Sequence, residues 1–181
     1  MKTELESVAW PPEPIKTERL VLREPEARDR TAIIELLASP EVGTYIGGAQ
    51  SRDDLEGTMP EAPRRRTGLF VVDLDGATIG MVTLYTRDPN HPDQVRPDLA
   101  SVELGYLFLP TSWGHGYATE ACTAALTWFT TARPNEPVVL TTQSANQASM
   151  RLATKLGFTE AARYEAWDAE QWLGLWTPPH A

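Results

Sequence analysis

The most informative segment of the sequence is Glu103-Leu104-Gly105-Tyr106-Leu107-Phe108-Leu109-Pro110-Thr111-Ser112-Trp113-Gly114-His115-Gly116-Tyr117-Ala118-Thr119-Glu120-Ala121. Alternating apolar residues over Ser101–Leu109 predict a β-strand, with Val102, Leu104, Tyr106 and Phe108 on one face and Glu103, Gly105 and Leu107 on the other. Apolar residues at helical spacing from Gly116 to Thr130 predict a helix directly afterwards. A glycine turn between a strand and a helix presents free backbone N–H groups and a positive dipole end to an anion.

The two glycines of this turn have a physical reason to be there. A side chain at Gly114 or Gly116 would keep a phosphate away from the backbone, and glycine tolerates the positive φ that such turns need. A glycine pair before a helix, taken alone, more often marks an ordinary turn than an anion site. The sequence has neither a third glycine at the dinucleotide-fold spacing nor a Gly-Lys-Ser/Thr motif, so two nucleotide-binding fingerprints are excluded.

Outward from this stretch, the pattern predicts a mixed α/β domain with a twisted, largely antiparallel sheet. The predicted strands and helices, in chain order, are a strand at Glu18–Arg23, a helix at Asp29–Ala38, a hairpin of Leu69–Leu74 and Thr78–Tyr85 turning at Asp75-Gly76, a strand at Pro137–Thr142, a helix at Gln147–Leu156 stopped by Gly157, and two closing strands within Phe158–Trp176. Residues 1–16 are expected to form an extended N-terminal tail, residues 17–177 the single domain, and residues 178–181 a short C-terminal tail.

Composition narrows the classes of function. A chain of 181 residues fits one domain, and a formal net charge of -9 makes nucleic acid an improbable partner. The single cysteine, Cys122, excludes an internal disulfide and fits a reducing compartment. No apolar run approaches the length that spans a bilayer, so the expected location is cytoplasmic, without membrane insertion.

Three ordered motifs together resemble the Gcn5-related N-acetyltransferase (GNAT) family, and most closely its ribosomal-protein-alanine acetyltransferase (RimJ/RimL-like) branch. They are Glu103-Leu104-Gly105-Tyr106, then Trp113 to Ala121, then Asn146-x-x-Ser149 with Lys155-Leu156-Gly157-Phe158. The opening Thr17-Glu18-Arg19-Leu20-x-Leu22-Arg23 matches the same branch. The resemblance implies an acyl-CoA N-acyltransferase fold, in which a mostly antiparallel sheet of six to seven strands is flanked by about four helices.

The resemblance also implies where acetyl-CoA, the co-substrate, would bind. In the family, the strand before the glycine turn separates from its neighbour and bonds pantetheine, while the turn and the following helix hold the pyrophosphate. Phe108 and Leu109 would thus meet pantetheine, as would the side chain of Asn146, for which a helix N-cap is the alternative. The residues expected around the phosphates are Gly114, His115, Gly116, Tyr117, Ala118 and Thr119. For His115 the alternative is an exposed turn histidine.

Two residues are candidates for the chemistry. An amine attacks a thioester only when it is unprotonated, so a carboxylate or a water chain has to take its proton, and Glu103 is the best candidate. The alternative for Glu103 is a glutamate that is simply exposed or paired with an arginine. Ser149 occupies the position at which the branch has a serine near the thioester sulfur, where it could protonate the departing thiolate. Many relatives have a tyrosine that acts as the general acid at the position of Ala153, so the candidate acid in this chain is Ser149. Cys122 is expected to be a buried small hydrophobe.

The predicted function is direct transfer of an acetyl group from acetyl-CoA to a primary amine, with a protein N-terminus as one acceptor. The alternatives are a small-molecule amine, a longer acyl-CoA, or a regulatory module that binds CoA without catalysis. The three histidines are far apart in the sequence and lack acidic partners at ligand spacing, so no metal site is expected. A homodimer is left open.

Overall fold

Within the described residues, one mixed sheet of eight strands forms the centre of the protein. The computed structural model describes residue 5, residues 7–91 and residues 94–179. The strands are β1 Ile15–Lys16, β2 Val21–Arg23, β3 Leu69–Leu74, β4 Ala77–Thr86, β5 Val102–Phe108, β6 Val138–Gln143, β7 Thr159–Ala166 and β8 Ala169–Trp176. The α-helices are α1 Arg30–Ala38, α2 Pro40–Gly43, α3 Arg52–Thr58, α4 Tyr117–Ala132 and α5 Gln147–Leu156.

The strand order is β1-β2-β3-β4-β5-β6-β8-β7, and every neighbouring pair is antiparallel except β5 with β6. The predicted mixed α/β class and largely antiparallel sheet are therefore confirmed. The observed sheet exceeds the expected six to seven strands because it gains the two-residue β1, which is too short to leave a periodic pattern.

Local sequence signals account for most element boundaries. The β3–β4 hairpin turns at Asp75 and Gly76, whose φ angles of 52° and 88° are both left-handed, as a tight hairpin turn requires. Helix α5 begins after Asn146, whose side chain accepts a hydrogen bond from the amide of Ser149, and it ends at Gly157 with a φ of 94°. Helices α2 and α3 were not predicted individually, although Ser39 and Ser51 cap them through the same kind of side-chain hydrogen bond.

The main core lies between one face of the sheet and helices α4 and α5. Its fully buried members include Phe70, Val82, Leu84, Leu140 and Phe129. The segment expected to be an N-terminal tail also contributes, since the Trp10 ring packs edge-on against Phe70 at 5.1 Å between centroids and against Trp128 at 5.6 Å. Residues 1–4, 6, 180 and 181 of the two expected tails lie outside the described residues.

A buried charged cluster ties β2 to the β3–β4 hairpin. The guanidinium of Arg23 pairs with the carboxylates of Asp29 at 2.8 Å and Asp73 at 3.1 Å, and Thr78 donates its hydroxyl to Asp29. Burial alone would raise the pKa of Asp29, but hydrogen bonds from Arg23, Thr78 and the Glu26 amide outweigh it and lower that pKa. The cluster therefore holds Asp29 as an anion in the folded protein.

Candidate active site

The sheet opens between β5 and β6. These parallel strands pair only at Val102 with Val138 and at Glu103 with Val139, although β5 continues to Phe108 and β6 to Gln143. Beyond Glu103 the two strands diverge, so the edge of β5 that faces β6 is not covered by a partner strand. We call this opening the β5–β6 gap.

Hydrogen-bond direction along β5 identifies the backbone groups that face the gap. The amide of Leu109 donates to the carbonyl of Ile79 on the β4 side at 2.9 Å, and direction alternates along a strand, so Phe108 and Tyr106 point their backbone groups toward the gap. The carbonyl of Phe108 accepts the Trp113 indole N–H at 2.8 Å. Of the two residues predicted to meet pantetheine, Leu109 thus has its amide engaged with β4, whereas the amide of Phe108 faces the gap together with the backbone of Tyr106.

The glycine turn has the backbone geometry that the sequence suggested. Gly114 and Gly116 have φ angles of 79° and 80°, which disfavour any residue with a side chain. Within the described part of the chain, the amides from Gly114 to Thr119 have no hydrogen-bond acceptor, and the first helical bond is donated by Glu120 to Gly116. Free amides at the positive end of a 16-residue helix form a site that fits a pyrophosphate.

Arg19 contacts the glycine turn and the start of α4. This role was not predicted from the sequence. The guanidinium of Arg19 donates to the carbonyl of His115 at 2.9 Å, lies 4.5 Å from the centroid of the Tyr117 ring, and pairs with Glu120 at 3.2 Å. Thr17 donates its hydroxyl to the same carboxylate at 3.0 Å. The motif Thr17-Glu18-Arg19-Leu20 was the available signal, because it matched the family branch without having an assigned role.

The residues predicted to bind the phosphates lie in the glycine turn and in the first turn of α4. The His115 ring is exposed and stacks on Tyr117 at 5.4 Å between centroids, whereas Tyr117, Ala118 and Thr119 are half-buried. A cavity of about 510 Å3 lies beside them. Its lining is made by Thr17, Gly116, Thr119, Glu120, Thr123, Ala124 and Lys155.

Glu103 lies in a cluster of polar side chains on the face of the sheet opposite to α4 and α5. Its carboxylate is 3.9 Å from the guanidinium of Arg87, and it stands beside Tyr85, its cross-strand partner on β4. Burial, followed by the nearby Glu103 carboxylate, raises the pKa of Tyr85 well above its ordinary value, so the phenol stays protonated. Arg87 is itself buried and donates to the carbonyls of Val95 at 2.6 Å and Ala100 at 3.0 Å. The arginine pairing that the sequence left open as an alternative is therefore present.

Ser149 is buried in the first turn of α5, and its hydroxyl forms a hydrogen bond with the hydroxyl of Tyr106. Asn146 accepts from the Ser149 amide at 3.2 Å, so the N-cap role considered for Asn146 is realised. Burial raises the pKa of Tyr106 above its ordinary value, although the contact with Ser149 acts in the opposite direction. The role of the Tyr106 hydroxyl was not predicted, because its partner lies 43 positions away in the sequence.

The candidate residues thus divide between the two faces of β5. Tyr106 points to the face covered by α4 and α5, together with Ser149 and the glycine turn, while Glu103 points to the opposite face. A second cavity of about 280 Å3, lined mainly by apolar residues, lies on the side that carries α1 and α3. It is lined by Pro25, Ile33, Leu55, Thr58, Met59, Pro60, Pro63, Arg64, Leu69 and Met81.

The surroundings of Cys122 do not favour a cysteine nucleophile. Cys122 is fully buried among core residues, as predicted, and burial raises its pKa, which disfavours the nucleophilic thiolate. Over the described ranges, no three His, Cys, Asp or Glu side chains are grouped to hold a metal ion. None of the helices in that part of the chain combines the length and apolar character needed to cross a bilayer.

Comparisons with known proteins identify the family of the chain. The family described as "Acetyltransferase (GNAT) domain" matches residues 19–159. The chain is similar to the uncharacterized protein YkkB of Bacillus subtilis, at 27% identity over 159 residues that cover 84% of this chain and 88% of that protein.

Two solved structures share the fold at lower identity. A RimL ribosomal L7/L12 alpha-N-protein acetyltransferase in complex with coenzyme A superposes with a TM-score of 0.68 at 14% identity, covering 91% of this chain and 98% of that one. The enzyme AAC(6')-Ib in complex with ribostamycin and coenzyme A gives a TM-score of 0.67 at 16% identity, covering 88% and 94%. At such identities the likeness establishes the fold.

Proposed function

The chain belongs to the GNAT acetyltransferase family and is an acetyl-CoA-dependent N-acetyltransferase, and we propose that its acceptor is a primary amine, with a protein N-terminus as the leading class. The residues proposed to hold the co-substrate are the amides of Gly114 to Thr119 for the pyrophosphate and the gap-facing backbone of β5 for pantetheine. Acetyl-CoA supplies the activated thioester.

The observation that carries the proposal is the placement of Glu103 and Ser149 on opposite faces of the sheet, beside the β5–β6 gap. An amine entering from the α1 and α3 side would meet Glu103, which takes its proton before or during attack on the thioester carbon. The thiolate leaves toward the α4 and α5 side, where the Ser149 hydroxyl protonates it. Direct transfer needs no covalent enzyme intermediate, because holding both reactants at the gap already provides the rate advantage of proximity.

A second acceptor class, a small-molecule amine, is favoured by the second cavity. Its volume of about 280 Å3 and its lining by Ile33, Leu55 and Met59 suit a compact apolar group. Structural neighbours include both kinds of enzyme, since one was solved with ribostamycin and another acts on the alpha-amine of a ribosomal protein.

Acceptor profiling tests the proposal. The protein is incubated with acetyl-CoA and either a peptide library with free N-termini or a library of small amines, and acetylated products are identified by mass spectrometry. Parallel reactions with longer acyl-CoA donors test the acyl preference. Acetylated peptide N-termini are the expected result, and acetylation confined to small amines would replace the first acceptor class by the second. CoA binding without turnover on any amine would instead indicate a regulatory module.

A further inference from the structure

The hydrogen bond between Tyr106 and Ser149 spans the mouth of the β5–β6 gap. Tyr106 lies on β5, three positions past the last paired residue, Glu103, and Ser149 lies on the helix that follows β6. Ser149 is 7% exposed, and Tyr106 packs against the main core beside Cys122. The two hydroxyls therefore meet away from bulk water, at the place where the thioester sulfur is proposed to depart.

The direction of this hydrogen bond follows from the role proposed for Ser149, which is to protonate the leaving thiolate. A serine hydroxyl has one hydrogen, so it cannot donate to Tyr106 and to a leaving sulfur at the same time. Within the described residues, Ser149 is the only hydrogen-bond partner of the Tyr106 hydroxyl. Burial raises the pKa of Tyr106, which keeps the phenol protonated and able to donate. The Ser149 amide is held by Asn146, so the backbone beneath the hydroxyl is fixed as well.

We propose that Tyr106 is the positioning residue for Ser149, donating its phenolic hydrogen to Oγ so that the serine hydrogen points into the β5–β6 gap. This inference rests on the proposed function. As the amine nitrogen bonds to the carbonyl carbon, the C–S bond breaks and its electron pair goes to sulfur. The nitrogen proton goes to Glu103 and then to solvent. Sulfur takes the Ser149 proton, Oγ takes the phenolic proton of Tyr106 in the same step, and water reprotonates Tyr106 after CoA leaves, so no free serine alkoxide forms.

The experiment is a double-mutant cycle with Tyr106→Phe, Ser149→Ala and the double variant, assayed with an acceptor that the wild-type protein acetylates. Each single variant should lower kcat by about 10-fold or more, with little change in KM for acetyl-CoA or in CoA affinity. In the Ser149→Ala background, Tyr106→Phe should have less than about a 2-fold effect, because two residues acting as one unit are not additive. Ser149→Thr, which keeps a hydroxyl, should restore the sensitivity to Tyr106→Phe.

A matched control is Tyr164→Phe on the edge strand β7, which should leave kcat unchanged. Multiplicative losses in the double variant, or a loss of CoA affinity in Tyr106→Phe, would mean that Tyr106 only packs the core and would overturn the role. An unchanged kcat in a folded Tyr106→Phe protein would overturn it too. If the wild-type protein transfers acetyl to no amine, the proposed function fails first, and the positioning role fails with it.

Discussion

The guanidinium of Arg87 lies 3.9 Å from the carboxylate of Glu103, and the same guanidinium holds the carbonyls of Val95 and Ala100. The start of β5 is thereby tied to the loop that precedes it. The proposed base thus has a buried cationic partner in the folded protein.

Replacing Glu103 by Gln tests its role as base. The amide keeps the shape of the side chain but cannot take a proton, so kcat should fall by about 100-fold or more while CoA affinity is unchanged. Thiol release from acetyl-CoA and a thermal shift with CoA measure the two quantities. Glu165→Gln on the edge strand β7 is the control and should retain full activity. Full turnover in Glu103→Gln would assign the proton transfer to a water chain instead.

Gly114→Ala should weaken acetyl-CoA binding beyond its effect on folding. An alanine at a φ of 79° costs about 1–2 kcal/mol of stability, and its methyl group would project at the phosphate cradle. Gly76→Ala in the β3–β4 turn is a close control, because its φ is 88° and an added Cβ meets nothing within 4 Å at either position. Isothermal titration with CoA should show at least about a 10-fold loss for Gly114→Ala alone. Equal affinities in the two variants would remove the turn from the CoA site.

Arg19→Met should raise KM for acetyl-CoA while leaving kcat nearly unchanged. The substitution removes the bond to the His115 carbonyl and a positive charge beside the turn, so the expected increase is about 3–10-fold. Raising the salt concentration should narrow the difference between variant and wild type, since salt screens charge. Arg163→Met, which removes an exposed arginine on β7, is the control for general loss of charge.

The buried cluster around Arg23 predicts the acid limit of stability. The pKa of Asp29 is lower in the folded protein than its unfolded value of about 3.9. The ionised carboxylate therefore contributes fully to the free energy of unfolding above the unfolded pKa, and this contribution is lost as the pH falls through the folded pKa. Asp29→Ala should cost about 3–5 kcal/mol at neutral pH, because it leaves a buried arginine short of a partner. Urea unfolding at pH 7 and pH 3 measures both effects. The free energy of unfolding should change less between the two pH values in Asp29→Ala than in the wild-type protein. An equal dependence would assign the acid sensitivity to other carboxylates.

Thiol alkylation should not inactivate the native protein. Cys122 is fully buried and its raised pKa disfavours the thiolate, so iodoacetamide at neutral pH should leave activity intact until the protein is unfolded. Mass spectrometry of the treated protein gives the extent of modification. Rapid loss of activity together with a single alkylation would contradict this expectation.

Features that rest on local pattern could be predicted from the sequence. Alternation placed Val102 and Glu103 on opposite faces of β5, the Asp75-Gly76 pair predicted the hairpin turn, and Gly157 ended α5, because side-chain direction and backbone φ depend on near neighbours. The glycine turn at residues 113–118 was predicted in the same way, and the family resemblance then implied that it holds a pyrophosphate.

Contacts between groups that are distant in the sequence emerge only in the folded protein. Tyr106 reaches Ser149 because β5 and β6 diverge after Glu103, and Arg19 reaches the glycine turn because the segment between β1 and β2 lies against the start of α4. Pairings across 43 and 96 positions have no periodic signal in the sequence, since they depend on strand order and on where two strands separate. The physical reason is that hydrogen bonds and ion pairs act over a few ångströms in space, while the sequence records only distance along the chain.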